Sequence, residues 1–472
     1  MSQSPNDHSH EIPYISRQDK YTLIAPLLKQ SWSVLLDSAG NDNQYNRYDI
    51  LVFSPTVKLT FDGNKHSVES KDIELPALPQ SPLKAMEAIS QSIGASESSQ
   101  NDNLPFNGGW LGYIGYDFAR YLEKLPDETQ DDIGLPQIQI GYYQWALITD
   151  HKDKTSRIYN FGLAGDQWQL ILERVNESIQ NTDKGELTDN FAITSDWISD
   201  LSKEDYFNRF QKIHDYIHAG DCYQVNLAQR FTANYQGDNY QAYQHLAKNN
   251  QAPFSAFMNY GEYQILSLSP ERFIESHQGK VITQPIKGTR PRDEDPIQDQ
   301  KNADALINSE KDRAENLMIV DLLRNDLSKT ASKGSVKVTE LFGHYKFNAV
   351  HHLISTIESQ LADGKNNFDL LATCLPGGSI TGAPKIRAME IIEEMETYKR
   401  NIYCGVIAYI DQFGNMDSNI CIRTLIAKEN QLYCWAGGGL VAESEAEKEY
   451  QETFDKISRI IPLLNHISRK DD

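Results

Sequence analysis

In the first 190 residues, apolar and polar positions alternate over short spans or give way to short apolar runs. YDILVFS (48–54), KLTFDG (58–63) and IQIGYYQWALITD (138–150) follow this pattern, bounded by turn-forming residues. A period of two, or a brief apolar run, is the signature of a half-buried or fully buried strand. The amino-terminal part is therefore expected to be mostly β. Beyond residue 190 the period lengthens. SKEDYFNRFQKIHDYIHAG (202–220) predicts a helix, with Ser202 and Asp205 as a capping pair, a stripe of Phe207, Phe210, Ile213 and Ile217, and Gly220 as the stop. Strands are predicted at YQVNLAQRFTA, YQILSLS and KVITQPI, and helix from about 300 to 328. Three further helical patterns, HLISTIESQL, PKIRAMEIIEEMET and ESEAEKEYQETFDKISRII, are separated by the strands NIYCGVIAYID, NICIRTLIA and LYCWAG. This order implies α+β or α/β architecture with large sheets covered by helices. The polar stretches 95–103 and 177–190 read as loops or linkers and place a soft boundary near 190, dividing the chain into 1–190 and 191–472.

Charge and composition narrow the class. The 472 residues carry 45 Lys plus Arg against 66 Asp plus Glu, a formal charge of -21, so a nucleic-acid partner is excluded by the average surface. Five single cysteines without a C-x-x-C pair fit a reducing cytoplasm and give no thiolate metal site. The first twenty residues are polar, and no run of about 18 apolar residues occurs, so a soluble protein without a membrane span is expected.

Several constellations carry chemistry. In KDRAENLMIVDLLRNDL (311–327), a helix expected to be buried on nearly every side, Asp312 and Glu315 share a face; in EAEKEYQETFDK (445–456), Glu449 and Glu452 do the same, with Lys456 one turn beyond. Taken alone these are either ion-paired and solvated carboxylates or two acid pairs that meet across a pocket and hold a hard cation such as Mg²⁺. Two glycine-rich segments, PGGSITGAPK (376–385) and AGGGLVAES (436–444), read as turns feeding helices, either plain turns or backbone N–H cradles for an anion. Arg423, in an apolar strand pattern, is either an ion-pair member or a clamp for a substrate carboxylate, and His352 is either a satisfied core residue or a functional one. Lys287, in PIKGTRPR, is either an exposed turn residue or an amine whose pKa is lowered by burial and by neighbours such as Arg290 and Arg292. In the second case Glu271 of LSPERF is placed to exchange protons with it.

The set SPERF (269–273), PIKGT (285–289), DRAENLMIVDLLRNDL (312–327), HHLISTIE (351–358), PGGSITGAPKIRAMEII (376–392), CIRTL (421–425), AGGGLVAES (436–444) and EYQETFDK (449–456) resembles the chorismate-utilising enzymes. The likeness is dense from about 200 to 465 and looser before that. It implies an α+β sandwich similar to anthranilate synthase component I: two large, mostly antiparallel sheets packed together with helices outside, both parts of the chain sharing one core. It also implies chorismate as substrate, bound through Mg²⁺. Glu315 and Glu452 match metal ligands, with Glu449 and Asp312 in neighbouring positions. Arg423, Tyr403 and Lys456 match positions that handle substrate carboxylates, helped by the N–H groups of Gly437, Gly438 and Gly439, while Thr289, Ser379 and His352 match substrate-pocket positions.

Lys287 separates branches of the family, because anthranilate synthases typically carry alanine in the corresponding PIAGT. The lysine resembles that of the members that aminate C4, where its amine adds to C2 and is then displaced by ammonia, with Glu271 as the acid/base. None of the five cysteines lies in a G-x-C-x-G motif, so ammonia is expected from a separate glutamine amidotransferase subunit. Finally, VLLDSAGNDNQYNRYD (34–49) resembles an amino-acid pocket element whose usual occupant is tryptophan. The implied residues are Ser38, Tyr45, Asn46, Arg47 and Tyr48, completed by Pro253, Phe254 and Ser255; ordinary strand packing is the alternative.

Overall fold

The computed structural model describes residues 8–40, 45–95, 101, 103–180, 190–347 and 350–467. Most of the two polar stretches, residues 41–44 and 348–349, and both ends of the sequence therefore lie outside the described residues. Among those described, the strands form one 13-stranded and one 11-stranded sheet, and every ladder between neighbouring strands is antiparallel. In the first sheet the strands Ser9–Ile12, Thr155–Asn160, Trp145–Asp150, Tyr48–Val52 and Ser33–Asp37 lie side by side. Phe254–Asn259, Tyr263–Ser269, Thr424–Lys428, Gln431–Leu440 and Gln224–Gln236 continue the same sheet. The second sheet is likewise continuous: Val406–Asp411 of the carboxy-terminal part pairs with Gly109–Ile114 of the amino-terminal part. Both sheets run without interruption across the position of the 190 boundary.

The two sheets face each other over one core. Val34, Ile50, Met258, Ile265 and Ile426 of the first sheet pack with Leu59, Phe61, Leu111, Ile140, Ile274 and Val406 of the second. The intervening residues Leu35, Leu51, Phe257, Leu266 and Leu425 point to the other face of the first sheet, beneath Asn239–Asn250, Gly165–Gln180 and the carboxy-terminal helix Ile461–Ile467. Because both faces are buried, these strands read as apolar runs rather than clean alternations. A third core sits under Lys203–Ala219 and Lys385–Met395. No helix among the described residues is long and apolar enough to cross a membrane.

Several sequence expectations are corrected. HLISTIESQL lies in a strand, Val350–Gln360: its Leu353, Ser355 and Ile357 share one face, and its position between neighbours in the second sheet overrides a weak helical pattern. NICIRTLIA is not one strand. Met416–Ile420 belongs to the second sheet and Thr424–Lys428 to the first, and the chain crosses between them through Arg423 at a φ of 51°. KVITQPI similarly divides into Lys280–Thr283 and Ile286–Pro291. Tyr403 sits in a turn ahead of the strand Val406–Asp411. Helix Glu310–Ser328 buries one face only, through Asn316, Ile319, Val320 and Leu323, and leaves Leu317 exposed. The capping box of Ser202 and Asp205 and the left-handed Gly220 are as expected, although Tyr206 rather than Phe207 leads the buried stripe. The amino-terminal part also carries the helices Pro82–Ile93 and Gly165–Gln180.

One polar cluster lies deep in the amino-terminal part. Lys20, only 2% exposed, donates to Asp37 and, at 2.9 Å, to Asp49. Burial works against its charge, but the two carboxylates overcome that and hold its pKa above the ordinary value. Tyr21 and Tyr243 donate to Asp37, and Asp49 accepts from His151 and from the Ser38 N–H and hydroxyl. Removing one partner of a buried ion cluster strands the others. Lys20→Met is expected to lower stability by about 3 to 5 kcal/mol in urea unfolding, and a loss under about 1 kcal/mol would show that Asp37 and Asp49 do not depend on it.

Candidate active site

Two segments pass from one sheet to the other side by side. The first links Tyr263–Ser269 to Arg272–His277 and contains Glu271; the second links Met416–Ile420 to Thr424–Lys428 and contains Arg423. They are bonded together: Ile420 N donates to Glu271 O at 3.1 Å and Leu268 N to Arg423 O at 3.0 Å. The crossings hold an acid and a base at the seam between the sheets, where neither residue belongs to a ladder.

Lys287 reaches this seam from the strand Ile286–Pro291, and its Nζ lies 3.5 Å from the carbonyl of Ser379. The Ser379 hydroxyl donates to Glu271 Oε1 at 3.0 Å. Glu271 is 8% exposed, and burial pushes its carboxyl up to about 7 against the pull of Lys287, Ser379 and Lys456. Burial also lowers the Lys287 amine, assisted by Lys456, while Glu315, Glu271 and Glu452 pull the other way. An amine shifted down beside a buried acid shifted up is an arrangement suited to proton exchange and nucleophilic attack. Arg290 and Arg292 do not assist: each is committed to an acid, Asp312 at 2.8 Å and Asp299 at 2.8 Å respectively.

The carboxylates of two helices meet at the same seam. Glu315 stands on Glu310–Ser328, and Glu449, Glu452 and Lys456 stand on Ala446–Ile457. A Cβ added to Gly438 would lie 3.1 Å from Glu449 Oε2, 3.6 Å from Glu452 Oε1 and 3.7 Å from Lys456 Nζ, so a side chain there would press on Glu449 and touch the rest of this set. Lys311 bridges the helices at 3.8 Å from Glu315 and 3.9 Å from Glu449. Glu315 and Glu449 are raised, chiefly by burial and further by neighbouring acids, whereas in Glu452 the ion pair with Lys456 at 2.7 Å outweighs burial and lowers the pKa. Asp312 is engaged by Arg290. No three acidic, histidine or cysteine side chains among the described residues form a ready-made metal cage. An open set of hard carboxylate oxygens, with Glu315 and Glu449 lacking a close cation, nevertheless fits Mg²⁺, which keeps positions for water and substrate.

The glycines correct an expectation. Gly437, Gly438 and Gly439 belong to the strand Gln431–Leu440 rather than to a turn, pairing with Ala228, Leu227 and Asn226. Asn226 N donates to Thr381 O and Ala228 N to Glu396 Oε1, so the pairs with Gly439 and Gly437 are the non-hydrogen-bonded kind. The N–H groups of Gly437 and Gly439 therefore face away from that partner, on the edge beyond the last pair with the other neighbour, Leu425 with Cys434. Lys456 donates to Gly437 O on this edge at 2.6 Å. In the other glycine segment, Pro384 is the residue before helix Lys385–Met395.

Around this edge stand the remaining expected residues. Arg423 forms no ion pair among the described residues, and burial lowers its pKa. His352 Nδ1 lies 2.9 Å from the Thr289 hydroxyl, and burial, with Arg423 nearby, takes its pKa down to about 4, so the ring is neutral. Tyr403 is buried and stacks on Trp435 with ring centroids 6.0 Å apart. Sequence reasoning missed Gln224. Its side chain is 0% exposed, neither amide atom has a partner, and Nε2 would lie 2.7 Å from a Cβ at Gly439. Glutamine in YQVNLAQRF looks like an ordinary strand residue, and only the burial of an unpaired amide singles it out.

A separate cavity of about 430 Å³ is lined by Ser38, Tyr45, Arg47, Tyr48, Pro253, Phe254 and Ser255, with Arg272, Glu275 and Asp417 opposite. Arg272 pairs with both acids and lies over the rings of Tyr45 and Phe254. Asn46 is buried behind this cavity, packed at Gly40.

Comparison with known proteins agrees with the two-sheet fold. The model of the chorismate binding enzyme family matches residues 34–462. Aminodeoxychorismate synthase component 1 of Escherichia coli (strain K12) is 48% identical over 435 residues, 92% of this chain and 93% of the relative. Anthranilate synthase component 1 of Acetivibrio thermocellus is 32% identical, covering 96% and 94%. The crystal structure of anthranilate synthase component I from Streptococcus pneumoniae TIGR4 superposes with a TM-score of 0.77 at 30% identity, covering 89% of this chain and 93% of that one. A family match across most of the chain and a half-identical relative of nearly equal length lead to one conclusion: the chain belongs to the chorismate binding enzyme family.

Proposed function

We propose that this enzyme aminates chorismate to 4-amino-4-deoxychorismate, the precursor of 4-aminobenzoate in folate synthesis, through a covalent intermediate on Lys287. The observation that carries the reading is the pairing of Lys287, its pKa lowered by burial, with Glu271, raised to about 7. Relatives at 48% and 47% identity bear the name aminodeoxychorismate synthase component 1, which supports the substrate and the product.

The chemistry balances as two displacements. The neutral Lys287 amine forms a bond to C2 of the ring, the two ring double bonds shift, and the C4–O bond breaks. Glu271 gives its proton to the departing hydroxyl, which leaves as water. Ammonia then forms a bond to C4, the double bonds shift back, and the C2–N bond breaks to release Lys287 as a neutral amine; Glu271 takes the extra proton from the new ammonium. Glu315 and Glu452, with Glu449 beside them, would hold Mg²⁺, which supplies an anchor for the ring carboxylate when bound. Arg423, Tyr403 and the N–H groups of Gly437 and Gly439 suit the other carboxylate, and neutral His352 with Thr289 borders the ring. Ammonia is supplied by a separate glutamine amidotransferase subunit. The 430 Å³ cavity is read as a site for tryptophan, with the rings of Tyr45 and Phe254 as its walls.

Protein incubated with chorismate and Mg²⁺ but no ammonia should gain the mass of dehydrated chorismate on the PIKGT peptide, and Lys287→Ala should not. Amination by that variant should fall at least about 100-fold with Mg²⁺ affinity retained in calorimetry. An unaltered rate, or fluorescent anthranilate as the product, would refute the lysine route. Adduct formation needs Glu271 protonated, and that carboxyl loses its proton as pH rises through about 7, so the rate should decline on the alkaline side. In Glu271→Gln the reaction should be slow with no decline near neutrality; a persisting decline would assign it to another group. Glu315→Ala should weaken Mg²⁺ binding at least about tenfold by calorimetry, and unchanged binding would remove the carboxylate from the metal site.

A further inference from the structure

Arg400 is 1% exposed and lies behind the site rather than in it. Its Nε and Nη2 form a fork on Glu396 at 2.8 and 2.6 Å. The other donors do not go to acids. Nη1 donates to Ile380 O at 3.1 Å and Nη2 also to Asn226 O at 2.9 Å. Ile380 follows Ser379 in the short turn Gly378–Ile380, whose Ser379 carbonyl faces Lys287 and whose hydroxyl holds Glu271. Asn226 is the partner of Gly439, and Glu396 accepts from Ala228 N at 2.9 Å, the partner of Gly437. The guanidinium also lies against the rings of Tyr116 and Tyr403 at 4.7 and 5.6 Å, and Tyr403 N donates to the Arg400 carbonyl at 2.9 Å. Three pieces of the site, carried by three separate segments of chain, thus rest on one planar cation.

A buried ion pair is a poor stabilising device, because desolvating both charges consumes most of what their attraction returns. Arginine offers five donors in a fixed plane, which a lysine cannot reproduce. We propose that Arg400, held by Glu396, is a positioning residue that sets the spacing between the Ser379 turn beside Lys287 and Glu271, the Tyr403 ring, and the Gly437–Gly439 edge. The inference rests on the reading of Lys287 as the nucleophile, and it deepens that reading by naming what aligns the amine with the groups around it. Misalignment by about an ångström is enough to cost roughly 100-fold in rate.

Arg400→Lys and the charge-neutral pair Arg400→Gln with Glu396→Gln test it, both examined well below their unfolding temperatures. Two readouts are taken: kcat and KM for chorismate at saturating ammonium, and the rate at which acetic anhydride labels Lys287, followed by peptide mass spectrometry. The expected result is a 10- to 100-fold fall in kcat, smaller in Arg400→Lys, with Mg²⁺ affinity unchanged and Lys287 labelling altered by at least about fivefold. Folded variants whose labelling and kcat both stay within about twofold of the parent overturn the proposal. If the parent protein does not aminate chorismate but the variants still change Lys287 labelling, the functional reading fails and the positioning role stands.

Discussion

The site depends on a topological constraint: two strands leave one sheet for the other at the same place. A chain that changes sheets abandons its ladder for two or three residues, and the backbone groups freed there must bond to something. Here the two passages bond to each other, through Ile420 to Glu271 and Leu268 to Arg423. Their side chains are consequently fixed without being packed against a neighbouring strand. The left-handed Arg423 is the local cost of that passage.

Exclusion of water does the rest. Lys287, Glu271 and His352 all depart from their ordinary pKa values in the direction that burial dictates, each toward the neutral form. The carboxylates above them divide: Glu452 stays charged because Lys456 pairs with it, while Glu315 and Glu449 lack an equally close cation and rise. One end of the site thus keeps its amine and its acid toward their neutral forms, and the other gathers carboxylates around Lys456 and Lys311. Glycine at 438 leaves these carboxylates uncrowded, since a Cβ there would press on Glu449.

Much of the site was legible because its residues are chemically conspicuous. Lysine between Pro-Ile and Gly-Thr, acid pairs at helical spacing and a glycine triplet all break the surrounding pattern, and the fold brings these segments together. What periodicity misread were segments whose environment is set by distant chain. HLISTIESQL has enough leucine and isoleucine for either period, and only its neighbours in the second sheet decide for strand. NICIRTLIA looks uniform because both of its halves are buried, though in different sheets. Gln224 and Arg400 escaped notice for the opposite reason: each is a common residue type whose meaning lies in what it touches or fails to touch after folding.

Continuity of the sheets also bears on how the protein is made. While a ribosome has released only the first part of the chain, Ser33–Asp37 and Gly109–Ile114 have no partners on the sides later taken by Phe254–Asn259 and Val406–Asp411. Until those later strands have been synthesised, the nascent polypeptide presents two open strand edges, a template for self-association that demands either shielding by chaperones or delayed folding.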